Sequence, residues 1–386
     1  MLLKVKMLKT AAIYLITLTL LFAISCGPNP HIDGLSKFWL TPKMGANIFN
    51  REVKIQDLKA AKAYGINYLR LAPDKFSSQQ RDFLIGDADE YQGLVSEDLA
   101  LLRKVLDQCH QEQLPVVITM LSLPGSRWRQ QNNGNDDLRI WLDEKYQLQS
   151  AKFWRDLAKE LNQHPSVVGY NILNEPHPEK LANLKGNNTE VQELLYSFYS
   201  LVIKNIREVD TKTTIIIDSS DYAHPHKLKS LKAHEDDNIL YSFHMYDPFM
   251  YTNKRLNDGK YSYPGNVENK YWHYQSLDNY LSSVTQFQVA NNITSNRILV
   301  GEYGGNRQSL GLENYLADLI SIFNKYGWHH SFYAFREDTW HGMDYEIGSK
   351  KLPWSYWQDI EQGKTPEVNR NPGNKLFKVI LQALGN

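Results

Sequence analysis

Two glutamates in this 386-residue chain follow short apolar runs, and a pair of carboxyls so placed can do acid–base or nucleophilic work. Glu175 comes after the run 167–173 and Asn174, and Glu302 after 298–300 and Gly301. Other apolar runs end in polar residues too: 67–71 carries Arg70, and 240–245 ends in His244-Met245-Tyr246. A core does not need such residues, so their clustering is informative. Singly, Arg70 or either glutamate could be an ion-pair member, and His244 a satisfied structural histidine. Those bland readings would have to hold at four run ends at once. Other chemistries are poorly served. None of the 12 histidines falls in H-E-x-x-H, and His224-Pro225-His226 and His329-His330 are weak signals. Ser219-Ser220 lacks the G-x-S-x-G elbow of a serine hydrolase. We therefore expect no metal and no cofactor.

Something must gather these run ends. Strand-like segments are expected at 43–48, 67–71, 116–120, 167–173, 214–217, 240–245, 298–300 and 330–335. Between them apolar residues recur at helical spacing, as in Leu102, Val105, Leu106 and Cys109, or Leu194, Leu195, Phe198, Leu201 and Val202. The helix after the fifth strand, around 226–233, is weak; further helices are expected over 277–287, 312–323 and 376–384. The strands are apolar without clean alternation, as expected for strands buried on both faces. Eight strand–helix units predict an α/β TIM (β/α)8 barrel forming a single catalytic domain over 41–386. A doubly wound sheet is the rival, but no strand end reads G-x-G-x-x-G. In a barrel the reactive residues sit at strand C-termini, where all the residues above fall. Long connections after the second, sixth and eighth strands suit active-site loops.

The ordered set resembles glycoside hydrolase family 5, the cellulase family. Asn174-Glu175-Pro176 after Gly169-Tyr170-Asn171-Ile172-Leu173 is similar to its fourth-strand signature, and Gly301-Glu302-Tyr303-Gly304 to its seventh-strand nucleophile segment. Ser242-Phe243-His244-Met245-Tyr246 resembles its sixth-strand His-x-Tyr, Gly65 to Arg70 its second strand, and Gly45-Ala46-Asn47 its first. The likeness runs from about Met44 to the last strand. It implies a retaining glycosidase acting by double displacement, with Glu175 as general acid/base and Glu302 as nucleophile. Such chemistry needs one carboxyl protonated and the other ionised, about 5–5.5 Å apart. The resemblance further implies that Arg70 and Tyr246 bind Glu302, that His244 lies beside Glu175, and that Asn174 donates to a sugar 2-hydroxyl.

The family pattern is not complete. A histidine expected at the end of the third strand is replaced by Leu121, although Pro124-Gly125 follows. The tryptophan expected after the eighth strand could be served by Tyr333 or, as we favour, by Trp340 from the loop. Trp128 and Trp272 are candidate subsite walls, each with an equal reading as packing. The run Tyr271 to Tyr274 is expected to be partly exposed. Arg336, Glu337, Asp338, Asp344 and Glu346 are read as a self-paired network that stiffens its loop, with substrate or cation binding as the alternative.

Balanced charge, 43 basic against 43 acidic residues, leaves no electrostatic footprint for nucleic acid. Aromatics make up 12% of the chain, enough to furnish a sugar-binding cleft as well as a core. The N-terminus reads as a targeting segment. Lys4, Lys6 and Lys9 precede an apolar run, 11–24, of signal-peptide length and short for a membrane span. Ala23-Ile24-Ser25-Cys26 then resembles a bacterial lipoprotein site, with a plain secretory signal as the alternative. Residues 1–25 are expected to be the signal peptide, Cys26 the lipidated residue and 26–40 a short tether. That reading places the protein as an outer-membrane lipoprotein, at the cell surface or on the periplasmic face, anchored by its lipid and monomeric. Cys109 would be the one cysteine left, without a disulfide partner. The expected partner is a β-linked polysaccharide or oligosaccharide, first a β-1,4-glucan cut internally. A mannan, a β-1,3-glucan, a host glycan, transglycosylation and a noncatalytic glycan-binding lipoprotein are the alternatives.

Overall fold

The computed structural model describes residues 34–337, 342–364 and 366–385. Eight parallel strands close into a barrel: β1 (Met44–Ile48), β2 (Leu69–Leu71), β3 (Val116–Thr119), β4 (Val167–Asn171), β5 (Thr214–Asp218), β6 (Ile239–Met245), β9 (Ile298–Tyr303) and β10 (His329–Phe332). Each pairs with its neighbour in sequence order, and β10 closes on β1 through Gly45 opposite Ser331. An antiparallel hairpin, β7 (Gly265–Val267) and β8 (Lys270–Trp272), lies in the long connection after β6.

The outer layer holds α1 (Ile55–Ala63), α2 (Ser96–Gln111), α3 (Glu144–Leu161), α4 (Asn188–Arg207), α5 (Pro225–Leu228), α6 (Tyr274–Tyr280), α7 (Ser282–Asn291), α8 (Leu312–Tyr326) and α9 (Lys375–Ala383). Each long helix presents one apolar stripe to the strands. Leu195, Phe198, Val202 and Ile206 of α4 are all fully buried. The helix expected over 277–287 is two helices meeting at Leu281, and the weak one after the fifth strand is the single turn α5. Among the described residues, no helix is long and apolar enough to cross a membrane.

The barrel interior is built by period-two alternation on its strands. A lower layer holds Tyr68, Val117, Ile216, Leu240 and Leu299, all essentially inaccessible. Two residues on, toward the strand C-termini, stand Arg70, Thr119 and Asp218, also fully buried. Gly45 is required opposite Tyr68, because a Cβ there would meet the phenol ring at 2.5 Å. Its successor at the same two-residue step is Asn47. The barrel thus has an apolar lower half and a polar upper half, and the polar half underlies the site.

The stretch expected to end as a tether does not stay free. Lys37–Leu40 forms a 3-10 turn, and Trp39 is completely buried against the lower layer. Its indole Nε1 donates to the Val168 carbonyl at 2.9 Å, and its ring meets Tyr68 edge-on at 5.2 Å. Four residues are too few to read as an element, so their apolar content was legible and their seat was not. The signal peptide 1–25, Cys26, Asp338 of the charged loop and Trp340 lie outside the described residues.

Candidate functional site

A cleft of about 650 Å³ opens at the C-terminal end of the barrel, and Glu175 and Glu302 both line it. Arg70 organises what lies beneath. Its Nη1 donates to Glu302 Oε1 at 2.7 Å and to Asn47 Oδ1 at 2.9 Å. Its Nη2 donates to Asn171 Oδ1 at 2.7 Å, to Asn174 Oδ1 at 2.6 Å and to Thr119 Oγ1 at 3.1 Å. A guanidinium can only donate, so every partner must turn an oxygen toward it. That fixes the Asn174 amide with its Nδ2 directed away from Arg70, and Asn174 lines the cleft. Asn47 is fully buried and its Nδ2 donates to the carbonyls of Gly301, Ser331 and Phe332, so it supports the site from below.

The two glutamates have different surroundings. Glu302 is 5% exposed, and its second oxygen accepts from the Tyr246 hydroxyl at 2.7 Å. Glu175 Oε1 lies 2.8 Å from His244 Nδ1, with no guanidinium in contact among the described residues. Loss of water pushes the proton affinity of Glu175 up; His244 opposes this, and repulsion from Glu302 and Asp218 adds to it. For His244, burial acts downward, but Glu302, Glu175 and Asp218 outweigh it and raise its affinity. Burial and the Glu302 charge hold the Tyr246 phenol well above its ordinary range, so it remains a donor. One oxygen from each glutamate and a ring nitrogen of His244 all fall within 4.8 Å of one another. Three such groups could in principle hold a cation. Here the oxygens of Glu302 are engaged by Arg70 and Tyr246, and a guanidinium at 2.7 Å opposes a second positive charge.

Backbone geometry sets both groups. Glu175 has φ 53°, a left-handed conformation costing a non-glycine residue about 1–2 kcal/mol. Its own N–H donates to Asp218 Oδ2 at 3.2 Å, and its carbonyl accepts from His177 Nδ1 at 2.9 Å. Gly301 makes room for His244: a Cβ there would lie 3.0 Å from the ring Nε2 and 2.7 Å from Ser242 Oγ.

A sequence model described as Cellulase (glycosyl hydrolase family 5) matches residues 27–339. The chain belongs to glycosyl hydrolase family 5. It is therefore a cellulase-like glycoside hydrolase. Among family relatives, Endoglucanase C of Acetivibrio thermocellus is 24% identical over 257 residues, covering 65% of this chain and 68% of that one. Cellodextrinase A of Ruminococcus flavefaciens is 23% identical over 203 residues, covering 52% of this chain and 54% of its own. The endoglucanase Cel5A of Thermotoga maritima superposes with a TM-score of 0.59 at 18% identity, covering 78% of this chain and 91% of that structure. The cellulose synthase subunit Z of Clostridioides difficile gives 0.62 at 18% identity, with coverages of 89% and 100%. At such identity the structures establish the shared barrel.

Within this family 5 barrel, Arg70, Asn174, Glu175, His244, Tyr246 and Glu302 converge as their positions suggested. Tyr333 forms a cleft wall with Phe49 and Leu121; its ring meets Phe49 edge-on at 5.4 Å and its hydroxyl donates to Glu337 at 2.5 Å. Trp128 lines the cleft with the Lys75 ammonium 4.2 Å from its ring centre. Trp272 does not: it is 7% exposed in the β7–β8 hairpin, packed on Tyr280, so its packing reading holds. Tyr271 is exposed as expected. The charged loop does pair, and also reaches outside itself. Arg336 binds Glu346 at 2.7 Å and Asp57 of α1 at 3.1 Å, and Asp344 binds Arg370 at 2.8 Å.

Sequence reading missed Thr119, Asn171 and Asp218, the inner polar residues that seat Arg70 and the Glu175 backbone. The missing signal was a polar residue two positions beyond an inward small or apolar one. It also missed the loop after β5. Asp221, Tyr222 and Ala223 have φ of 55°, 62° and 58°, three left-handed residues in succession. They bring Asp221 and Tyr222 to the cleft wall, with the Tyr222 ring stacked on His177 at 4.6 Å.

Proposed function

We propose that this enzyme is an endo-acting β-1,4-glucanase that cleaves with retention of configuration. The observation that carries this is the carboxyl pair with divided partners. One oxygen of Glu175 lies within 4.8 Å of one oxygen of Glu302, which suits retention, since inverting pairs stand about 6.5–9.5 Å apart to admit a water. Glu302, oriented by Arg70 and Tyr246, attacks the anomeric carbon. The glycosidic bond breaks as Glu175 gives its proton to the leaving oxygen. Glu175 then takes a proton from water, whose oxygen displaces Glu302 and releases the sugar. The outward Nδ2 of Asn174 donates to the 2-hydroxyl, a bond that tightens as charge builds on the ring. The leaving sugar departs past Glu175, on the side of the cleft that Tyr222 lines. Endo action on glucan is supported by the open cleft and by the names of the relatives. A Thermotoga maritima Cel5A structure holding mannotriose is the reason to keep mannan in the assay. Lipid anchoring through Cys26, and with it an outer-membrane location, is proposed from residues 1–26 alone.

The test is a panel of carboxymethylcellulose, mannan, β-1,3-glucan and reduced-end-labelled cello-oligosaccharides. It should show internal cleavage of β-1,4-glucan, with the β-anomer appearing first by proton NMR. Glu302→Gln should abolish turnover and keep binding. An α-anomer as first product, or full activity in that variant, would overturn the mechanism.

A further inference from the structure

Asp74 is a buried carboxylic acid that the mechanism above does not use. It follows β2 and is 2% exposed. Its Oδ2 accepts the Leu121 N–H at 2.9 Å, and its Oδ1 accepts the Ser122 N–H at 3.2 Å. The same residue's carbonyl accepts from Gln131 Nε2 at 2.8 Å. Ser122 Oγ in turn accepts the Trp128 N–H at 3.0 Å and donates to Gln131 Oε1 at 3.3 Å. These bonds form a closed circuit around the loop after β3. That loop carries Leu121 and Trp128, two walls of the cleft on the side of Phe49 and Tyr333. Lys75, the next residue along, lies over the Trp128 ring.

We propose that Asp74 is a positioning residue: its carboxylate clamps the loop after β3 and so sets the wall against which the bound sugar lies. The sugar-binding role of that wall rests on the function proposed above; the clamp itself does not. Because the clamp uses both oxygens, it depends on ionisation. An ionised carboxylate accepts two N–H groups, one per oxygen. The neutral acid keeps one good acceptor, and its hydroxyl needs a partner of its own.

Burial pushes Asp74 up to about 7, against the pull of the Leu121 and Ser122 amides and with added repulsion from Asp82. The charged groups that face it among the described residues do not counter this. Asp82 is bound by Arg127 at 3.0 Å, and the Lys75 ammonium is turned onto Trp128. The clamp therefore closes as pH rises through neutrality and slackens below it.

Asp74→Asn tests this through two readouts on the full-length protein. An amide keeps one acceptor oxygen where the carboxylate has two, and its NH2 would face the other N–H. In hydrogen–deuterium exchange, the peptide over 119–131 should exchange several-fold faster in the variant at pH 8, after correction for intrinsic rates. In hydrolysis of cellohexaose, wild-type KM should fall about three- to tenfold between pH 6 and 8. The variant's KM should stay high and flat, with kcat within about twofold of wild type. Unchanged exchange together with an unchanged KM profile overturns the proposal; so does a loss confined to kcat. If the variant does not fold, the wild-type exchange series between pH 6 and 8 decides alone: protection of 119–131 must rise with pH. If cellohexaose is not cleaved, the glucanase reading fails while the exchange result still judges Asp74.

Discussion

Replacing Arg70 with methionine is the sharpest probe of the site. The side chain is fully buried, so water cannot take over its role. The change strips donors from Glu302, Asn47, Asn171, Asn174 and Thr119 at once, and leaves the Glu302 carboxylate with Tyr246 as its remaining donor among the described residues. Removing one partner of a buried ion pair costs about 3–5 kcal/mol. For a chain of this length that is a fall of roughly 4–7 °C in Tm. The activity loss has two parts. A hydrogen bond to a charged group contributes about 1.5–3 kcal/mol, which is roughly 10–150-fold in rate. Release of the Asn174 amide removes a second fixed donor, so kcat/KM should drop at least 100-fold by this order-of-magnitude reckoning. A 2,4-dinitrophenyl β-cellobioside is the right substrate, because its leaving group needs no proton and the assay isolates the Glu302 side. Arg70→Lys keeps the charge but not the planar fork, and should fall between the two. Arg70→Met with unchanged Tm and kcat/KM within threefold of wild type would refute the idea that this guanidinium holds the nucleophile.

Two further predictions concern the Glu175 side. In the proposed mechanism Glu175 must be protonated to act as the acid, so activity should be lost as pH rises through its raised pKa. His244 works against that rise, so His244→Asn should move the alkaline limb of kcat to higher pH while lowering kcat; a limb that stays put or moves down speaks against the pairing. Gly301→Ala should displace the His244 ring by a few tenths of an ångström and cost roughly 10–100-fold in kcat with the fold intact by circular dichroism, and a normal kcat would refute the close packing.

The barrel was legible because eight apolar runs, each followed by a helical stripe or a break, leave few other architectures. The cluster that converges on the cleft was legible for a related reason: Arg70, Glu175, His244 and Glu302 are polar groups where an apolar run should simply stop. Thr119, Asn171 and Asp218 escaped because each is an ordinary end to a strand, and their inward direction depends on barrel register. The left-handed turn Asp221–Tyr222–Ala223 could not be read at all. Asp221 tolerates that backbone but Tyr222 and Ala223 do not favour it, and contacts such as the Tyr222 N–H to the Pro176 carbonyl, 3.3 Å, hold it. Leu121 was flagged as a departure, but only the structure shows what fills the place: an apolar wall with Phe49 and Tyr333, its backbone tied to Asp74.

Trp39 has a consequence for orientation. Its indole stoppers the barrel at the end opposite the cleft, and the chain enters the domain there. On the lipid anchoring proposed above, the mooring would grip this enzyme by its blind end. A short leash would then hold the mouth facing outward, and long, insoluble chains could slide across it without meeting the surface to which the enzyme is fixed.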